Sequence, residues 1–354
     1  MRQLTFLVVL FLSINFCLGQ GLPGGGGGKA ERNEKDVSFA PIPFIDYNRA
    51  IGFSVGFVPM VMYNLSKEDT ISPSSISGLM GMYSSNGTWF GMGFNKFYIK
   101  EDKYRISAAG GFGYVNYQFL LNEIGFIDYN IDMSFAMIEV QRQIIPNLYF
   151  GLNYMYANMN TQYDIDIPEN TTNLELNGIG TVLSYDGRDS VYYPHSGFIA
   201  NVNFKSFPNW MNDQESNKLE FDVNKFISMK NGHDVIGLRA MVGIGIGELD
   251  FNQQFIVGST DIRGYSLGEF RGDQVVALQG EYRMNPFKKI GFVGFAGVAM
   301  TFNGINESNN GKLLPGIGTG FRYNVFPKNH MNVGMDFGVG VNDWSLEFKI
   351  GESF

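Results

Sequence analysis

Gly258-Ser-Thr-Asp-Ile-Arg-Gly-Tyr265 and the alternating segment Val275–Met284 that follows it decide the fold of this chain. The segment has an apolar stripe on one face and places Glu281 and Arg283 on the other, which is the period of a β-strand. The planar, permanently charged guanidinium of Arg263 matches a carboxylate. The sequence therefore predicts that the polar connection folds back on the strand and that Arg263 docks on Glu281 as its main partner.

The tetrapeptide Ile262-Arg263-Gly264-Tyr265 resembles the Val/Ile-Arg-Gly-Phe/Tyr signature of the Omp85 family, the BamA-type surface antigens of the bacterial outer membrane. In that family the signature lies in a loop that folds into the lumen of a transmembrane β-barrel. Gly264 permits a close backbone approach or a positive φ. The resemblance implies that Ile262, Arg263, Gly264 and Tyr265 belong to a lumen-folded loop.

A second resemblance begins at Tyr185-Asp186-Gly187-Arg188-Asp189. The family has a Tyr-Asp-x-Arg-Asp stretch, then an aromatic-proline pair and a glycine before the next strand. Aspartate accepts hydrogen bonds from turn amides, proline fixes φ, and glycine ends the turn. We interpret the turn as architectural, with mixed charges that can pair locally. Its motif positions are Tyr185, Asp186, Arg188, Asp189, Pro194 and Gly197.

One position departs from the family pattern. The family usually has an aspartate in the strand after Glu281, whereas the segment Gly291–Val298 has no acidic residue. Asp336 shares the lumen-facing register of a nearby strand and is the reserve partner of Arg263. Removal of Arg263 is expected to leave Glu281 without its partner, and an unpaired buried carboxylate destabilises a protein.

The N-terminal part of the chain is predicted to precede the barrel. Residues 1–19 have the pattern of a secretory signal peptide, and residues 20–36 form a Gly-rich, flexible, charged tether. Cys17 leaves lipidation open as an alternative, although the residues before it form a poor lipobox. Residues 37–354 contain no cysteine, so disulfides are not expected to stabilise the barrel.

The composition of residues 37–354 favours an all-β, transmembrane antiparallel β-barrel of about sixteen strands. The chain is 44% hydrophobic, yet no later stretch has the roughly 18 unbroken apolar residues of a membrane-spanning helix. The apolar residues come by alternation, and the predicted strands include 130–143, 147–158 and 174–184. A soluble β-sandwich or barrel is the alternative. The net charge of −8 argues against a nucleic-acid partner.

Eleven strands are expected before the loop and five after it, as the family arrangement implies. The first predicted strand, Ser38–Tyr47, contains Pro41 and Pro43, and prolines suit an edge or a weakly paired strand. The last predicted strand, Trp344–Phe354, alternates through Phe348. Its terminal phenylalanine resembles the targeting signal of bacterial outer-membrane proteins.

The resemblance implies insertion or translocation of other polypeptides in the bacterial outer membrane. In the family, the first and last strands pair weakly, and the seam between them offers edge hydrogen bonds to a client strand. The seam residues would be Pro41, Pro43, Phe348 and Phe354. The expected partners are outer-membrane lipid, client polypeptides and, because residues 20–36 are too short for a POTRA module, a periplasmic or lipoprotein partner supplied in trans.

Two other functions are compatible with the sequence. A passive pore or structural channel would be lined by the lumen-facing Arg239, Arg283 and Arg322. A translocator for a separately encoded or surface-exposed protein is a further version of the transport hypothesis.

Catalysis has little support in the sequence. His195, His233 and His330 are the only histidines, each next to a predicted strand end. No Ser/His/Asp spacing, metal-ligand cluster or phosphate-binding loop is present. We therefore predict no enzymatic activity, no cofactor and no metal site, with a lipid-modifying barrel enzyme as the alternative.

Overall fold

A computed structural model describes residues 37–121, 125–164, 171–230, 233–247, 249–250, 253–258, 261–266, 269–287, 289–304 and 306–354. The predicted signal peptide, residues 1–19, and the predicted tether, residues 20–36, lie outside the described residues. No helix in these ranges is long and apolar enough to cross a membrane.

The described residues form one closed antiparallel barrel of sixteen strands. The barrel strands are β1 (Val37–Asn48), β2 (Gly52–Tyr63), β3 (Ser75–Ser84), β4 (Trp89–Ile99), β5 (Tyr104–Leu121), β6 (Gly125–Ile145), β7 (Leu148–Tyr163), β8 (Thr171–Asp186), β9 (Gly197–Phe207), β10 (Ser216–Met229), β11 (Asp234–Gly247), β14 (Gln274–Met284), β15 (Ile290–Phe302), β16 (Leu314–Phe326), β17 (Met331–Gly340) and β18 (Asp343–Ile350). A two-residue ladder, β12 (Phe255–Ile256) with β13 (Arg271–Gly272), lies in the connection between β11 and β14. The predicted antiparallel barrel is confirmed, and β1 closes it by pairing with β18.

Side chains alternate between the outside and the inside of the barrel along each strand. On β14, Val276 and Leu278 are exposed on the outside, whereas Glu281 and Arg283 are buried inside. An outer apolar face is typical of strands in contact with lipid. The alternation seen in the sequence therefore separates lipid-facing from lumen-facing residues.

The inside of the barrel has an apolar side and a charged side. Inward side chains of β1–β7 form one buried apolar cluster, which we call the apolar wall and which includes Ile42, Phe44, Val58, Met60, Met62, Ile76, Met80, Phe90, Met92, Phe94, Ile131, Met133, Phe135 and Met155. The inward side chains of the remaining strands include Arg239, Glu281 and Asp336. A water-filled barrel has a polar interior, so the apolar wall is a packed core within the lumen.

Strands β5–β8 extend beyond their neighbours at the end of the barrel that carries the β11–β14 connection, because the β4–β5 ladder stops at Tyr114 and the β8–β9 ladder begins at Ile179. The outward side chains of β6 change from apolar Ile138 to polar Asp132, while the inward Ile131 is fully buried. This reversal marks the place where the strands leave lipid and enter water.

The prediction that the last strand reaches Phe354 is wrong, because β18 ends at Ile350. Gly351 has φ of +87°, a left-handed conformation that glycine adopts without steric cost. The chain turns into the lumen at this point and buries Glu352 and Ser353. The C-terminal residues thus belong to the lumen and not to the barrel wall.

Candidate functional site

Arg263 lies inside the barrel and makes four side-chain hydrogen bonds. Its Nε donates to Gln279 Oε1 at 2.7 Å, and its Nη2 donates to Glu281 Oε2 at 2.8 Å. Its Nη1 donates to Asp336 Oδ2 at 2.6 Å and to Ser353 Oγ at 2.7 Å. One buried guanidinium therefore joins β14, β17 and the C-terminal segment.

Asp336, expected only as a reserve partner, shares Arg263 with Glu281. Phe295 of β15 also faces Arg263, and its ring centroid lies 3.6 Å from the Arg263 guanidinium carbon. This cation–π contact comes from β15, where the segment Gly291–Val298 has no acidic residue. Asp336 supplies the second carboxylate from β17 because inward side chains of non-adjacent strands can meet in the lumen.

Further arginines share the same carboxylates. Arg283 Nε donates to Glu281 Oε1 at 2.6 Å, Arg322 also pairs with Asp336, and Arg322 Nε donates to Glu352 Oε2 at 2.9 Å. The Arg263 cluster is our name for the buried group Arg263, Glu281, Arg283, Arg322, Asp336 and Glu352. The expectation that Glu281 would be unpaired without Arg263 is therefore wrong. Arg283 and Arg322, predicted as pore lining, belong to this cluster, whereas Arg239 pairs with Asp222 at 2.6 Å.

The residues around Arg263 in the tetrapeptide fit closely against the barrel wall. Gly264 has φ of +102°, and a Cβ there would lie 2.7 Å from Val339 N. Tyr265 is fully buried, donates to Pro315 O at 2.7 Å and accepts from Val341 N at 3.1 Å. Only glycine tolerates such a backbone approach with a positive φ.

Ile262 is also buried, in a second apolar cluster that includes Tyr265 and Phe270. A Cβ on Gly316 of β16 would lie 2.9 Å from Ile262 Cδ1 and 2.5 Å from Arg263 O. The loop therefore lies directly on β16 at a point where the wall has no side chain.

The seam between β1 and β18 has little backbone pairing. Tyr47 opposite Leu346 is its one paired position in the described chain, whereas β1 and β2 pair at twelve positions. Side chains supply the other contacts. Asp46 Oδ2 accepts from Phe348 N at 3.1 Å, and the Phe348 ring stacks on Phe44 with centroids 4.7 Å apart.

Backbone directions explain why the seam pairing stops. The Phe348 N–H points toward β1, and so does that of Leu346, two residues earlier and opposite Tyr47. Because these directions alternate along a strand, Tyr47, Pro43 and Pro41 turn their nitrogens toward β18. Proline has no N–H to donate. The next position, Ile45 opposite Phe348, is not paired, and Phe348 N donates to Asp46 Oδ2 instead. At the position after it, Pro43 faces the last residue of β18 and offers it no N–H.

The loop also contacts both sides of the seam. Ser266 N and Oγ donate to the Asp343 carboxylate at the start of β18, at 2.5 and 3.0 Å. Arg49, in the turn after β1, donates from its backbone N to Ser266 Oγ at 3.2 Å and from Nη2 to Glu269 Oε2 at 2.6 Å. We call these four residues the loop–seam contacts. No short motif in the sequence pointed to them.

The Tyr-Asp-x-Arg-Asp turn has both local and distant partners. Arg188 Nε donates to Asp186 Oδ1 at 2.9 Å, as a local pair, but Arg105 of β5 also reaches Asp186 at 3.3 Å. Asp189 Oδ1 accepts from the turn amides of His195 and Ser196 at 2.9 and 3.1 Å. The turn therefore fixes the β8–β9 connection to β5.

The other turn positions have packing roles. Tyr185 stacks on Phe198 with ring centroids 4.9 Å apart, and Pro194 is buried. Gly197 has φ of +95°, and a Cβ there would lie 2.1 Å from Gly187 O. Among the described residues, no group of three or more His, Cys, Asp or Glu side chains could hold a metal ion.

Solved structures of other barrels share the fold of this chain. The chain is similar in fold to BamA from Haemophilus ducreyi lacking POTRA domains 1–3, at 12% identity and a TM-score of 0.56, covering 91% of this chain and 75% of that one. It is also similar to CdiB from Acinetobacter baumannii, at 14% identity and a TM-score of 0.59, with 90% and 60% coverage. CdiB from Escherichia coli gives 10% identity and a TM-score of 0.63, with 92% and 66% coverage.

The chain thus spans less than two thirds of the length of either CdiB chain. No curated protein matches it. The family model described as the Omp85 superfamily domain matches residues 75–344, which is most of the barrel. This chain belongs to the Omp85 superfamily.

Proposed function

We propose that this outer-membrane barrel inserts other polypeptides into the membrane, or translocates them, through the seam between β1 and β18. The observation that carries the proposal is the single paired position of that seam, against twelve between β1 and β2. A strand edge with free N–H and C=O groups can pair with an incoming strand. The client would be an extended polypeptide, and lipid would surround the opening.

The loop would control the opening. Ser266 contacts the turn after β1 and the start of β18 at the same time. Opening the seam therefore requires Ser266 to release one of these two sides. Arg263 would keep the loop attached to β14 and β17 meanwhile, because its ion pairs are with Glu281 of β14 and Asp336 of β17, and neither strand belongs to the seam.

A passive pore is the second candidate, favoured by the charged inner side and its Arg239–Asp222 pair. The apolar wall supports insertion over a pore, because side chains such as Val58, Met60 and Ile131 are inaccessible to water. A continuous aqueous path needs a polar lining.

The proposed role makes and breaks no covalent bond, so it is not enzymatic. We further propose that a periplasmic or lipoprotein partner delivers clients to the barrel. Translocation of a separately encoded or surface-exposed protein would use the same seam. Co-purification from the native outer membrane would identify such a partner or client.

The experiment is a disulfide across the seam, made with Tyr47→Cys and Leu346→Cys. These residues are directly opposite one another, and such cross-strand neighbours are close enough for a disulfide. The matched control is Tyr47→Cys with Phe53→Cys, which joins β1 to β2 through the same first position. Each variant is expressed in cells that lack the wild-type gene, and outer-membrane protein levels are compared before and after reduction.

We expect the seam disulfide to deplete particular outer-membrane proteins and reduction to restore them, while the control disulfide has no effect. Unchanged protein levels with a fully formed seam disulfide would refute the proposal. Large single-channel conductance that persists with the seam closed would establish the passive pore instead.

A further inference from the structure

A cavity of about 300 Å³ lies in the lumen between residues of β4–β11 and the C-terminal segment. This volume is at the lower end of the roughly 300–1,000 Å³ range of small-molecule sites. Its lining includes Lys205, Lys218, Asn153, Asn203 and Glu220. Neither the Arg263 cluster nor the seam uses these five side chains.

Two lysines face each other directly in this cavity. Lys205 of β9 and Lys218 of β10 are cross-strand partners with the same inward register. Like charges placed opposite one another destabilise a sheet. Within the described residues neither lysine forms a salt bridge, although Glu220 attracts both ammonium groups and Glu139 also attracts that of Lys205. Lys218 Nζ lies 4.0 Å from the centre of the Phe255 ring. The pair therefore presents two ammonium groups to the cavity.

The same cavity contains buried acceptors that have no hydrogen-bond donor. Asn153 Oδ1 and Gln141 Oε1 are both buried without a partner in the described structure. The Asn153 side chain lies over Gly180, where a Cβ would come within 2.6 Å of its Oδ1, and Gly180 is the cross-strand neighbour of Lys205. An unsatisfied buried acceptor is costly. The two oxygens have almost no accessible surface, so a ligand in the cavity could donate to them only with the amide groups turned toward it.

We propose that this cavity is a binding site for an anionic monosaccharide. The ammonium groups of Lys205 and Lys218 would bind the phosphate or carboxylate of the sugar, since charge-assisted hydrogen bonds are the strongest available there. Asn203 of the lining would accept from its hydroxyl groups, and Asn153 and Gln141 would do so with their amides turned toward the cavity. Glu220, next to Lys218 on the inward face of β10, can also accept from hydroxyls but would repel a second anionic group.

The test uses the full-length barrel purified in detergent and measures binding by calorimetry and by thermal unfolding. The probes are glucose 6-phosphate, glucuronate, glucose and inorganic phosphate, and lipopolysaccharide is added in a separate sample. Lys205→Gln with Lys218→Gln removes both charges. Lys328→Gln is the matched control, because Lys328 is exposed in the β16–β17 turn. Heat-modifiable gel mobility shows that each variant is folded.

We expect glucose 6-phosphate or glucuronate to bind at least about tenfold more tightly than glucose or phosphate. Glucose lacks the anionic group and phosphate lacks the sugar hydroxyls, so each of these two probes makes only half of the contacts. The double lysine variant should lose this preference without losing thermal stability, and Lys328→Gln should keep it. Lysine-dependent binding of lipopolysaccharide would identify a glycolipid as the source of the sugar, whereas binding of the free sugars alone would identify a soluble ligand.

Phosphate that binds as tightly as glucose 6-phosphate would overturn the saccharide assignment. Failure of every probe to bind at millimolar concentration would overturn the site itself. Both results are independent of whether the seam disulfide blocks function, so the two proposals can fail separately.

Discussion

Arg263→Ala tests how much of the barrel's stability resides in the Arg263 cluster. The substitution removes four hydrogen bonds, of which two are to the buried carboxylates of Glu281 and Asp336. Breaking a buried ion pair by removing one partner typically costs about 3–5 kcal/mol. Glu281 keeps Arg283 and Asp336 keeps Arg322. We therefore expect the free energy of unfolding to fall by about 3 kcal/mol, near the lower end of that range.

The physical reason is a charge imbalance. Arg263, Arg283 and Arg322 balance the carboxylates of Glu281, Asp336 and Glu352, and removal of one arginine leaves an excess negative charge among buried side chains. Arg263→Lys retains the charge but not the planar fork, so its expected loss is smaller than that of the alanine variant.

The assay is denaturant unfolding of the purified barrel in detergent, followed by heat-modifiable gel mobility and tryptophan fluorescence. Arg49→Ala is the control because it removes a loop ion pair whose arginine side chain is 48% exposed. Exposed ion pairs typically contribute about 0–1 kcal/mol. Equal unfolding midpoints for Arg263→Ala and wild type would refute the reasoning, as would a loss in Arg49→Ala that matches Arg263→Ala.

Gly264→Ala should destabilise the barrel by about 2 kcal/mol or more in denaturant unfolding, because it combines a positive φ with a Cβ 2.7 Å from Val339 N. Gly351→Ala has a positive φ but open space around the Cβ, so a cost as large as that of Gly264→Ala would contradict this account. Asp46→Ala removes the acceptor of a seam N–H and should speed amide hydrogen exchange in β18; unchanged exchange would mean that Asp46 does not hold the seam. Burial lowers the pKa of His195 below its usual 6.5, although Asp189 opposes this shift. The neutral form is thus favoured in the folded state, and stability present above pH 6.5 should fall on acidification. A pH series of thermal unfolding should show this loss in wild type and a smaller one in His195→Gln.

Alternation in the sequence predicted most of the strands, and together with the family resemblance it predicted the transmembrane barrel. In Val275–Met284 the outer face meets lipid and is apolar, whereas the inner face forms ion pairs and is charged. Alternation with a period of two therefore identifies both faces. The predicted strands 130–143, 147–158 and 174–184 are shorter than β6, β7 and β8. At the end of the barrel that carries the β11–β14 connection, β6, β7 and β8 have polar residues outside and apolar residues inside. The pattern of alternation therefore reverses where water replaces lipid.

The contact between Arg263 and Glu281 could be proposed from sequence because the two residues are close in the chain and Glu281 has a definite inward register. The sequence could not show that Asp336 is an equal partner of Arg263 or that Ser353 also contacts it. Nor could it show that Arg283 is a second partner of Glu281. Their contribution depends on which inward side chains meet across the lumen. A strand pattern gives the face of a residue but not its distance from a residue on a distant strand.

The sequence by itself determined the class of fold, the inward or outward direction of side chains, and the loop that holds Arg263. These properties follow from local periodicity and from the conformations that glycine and proline allow. Only the tertiary structure decided where β18 ends, how Gly351–Phe354 enters the lumen, and that Ser266 contacts both sides of the seam. Those features depend on the register at which β1 and β18 meet, and closure of the whole barrel sets that register.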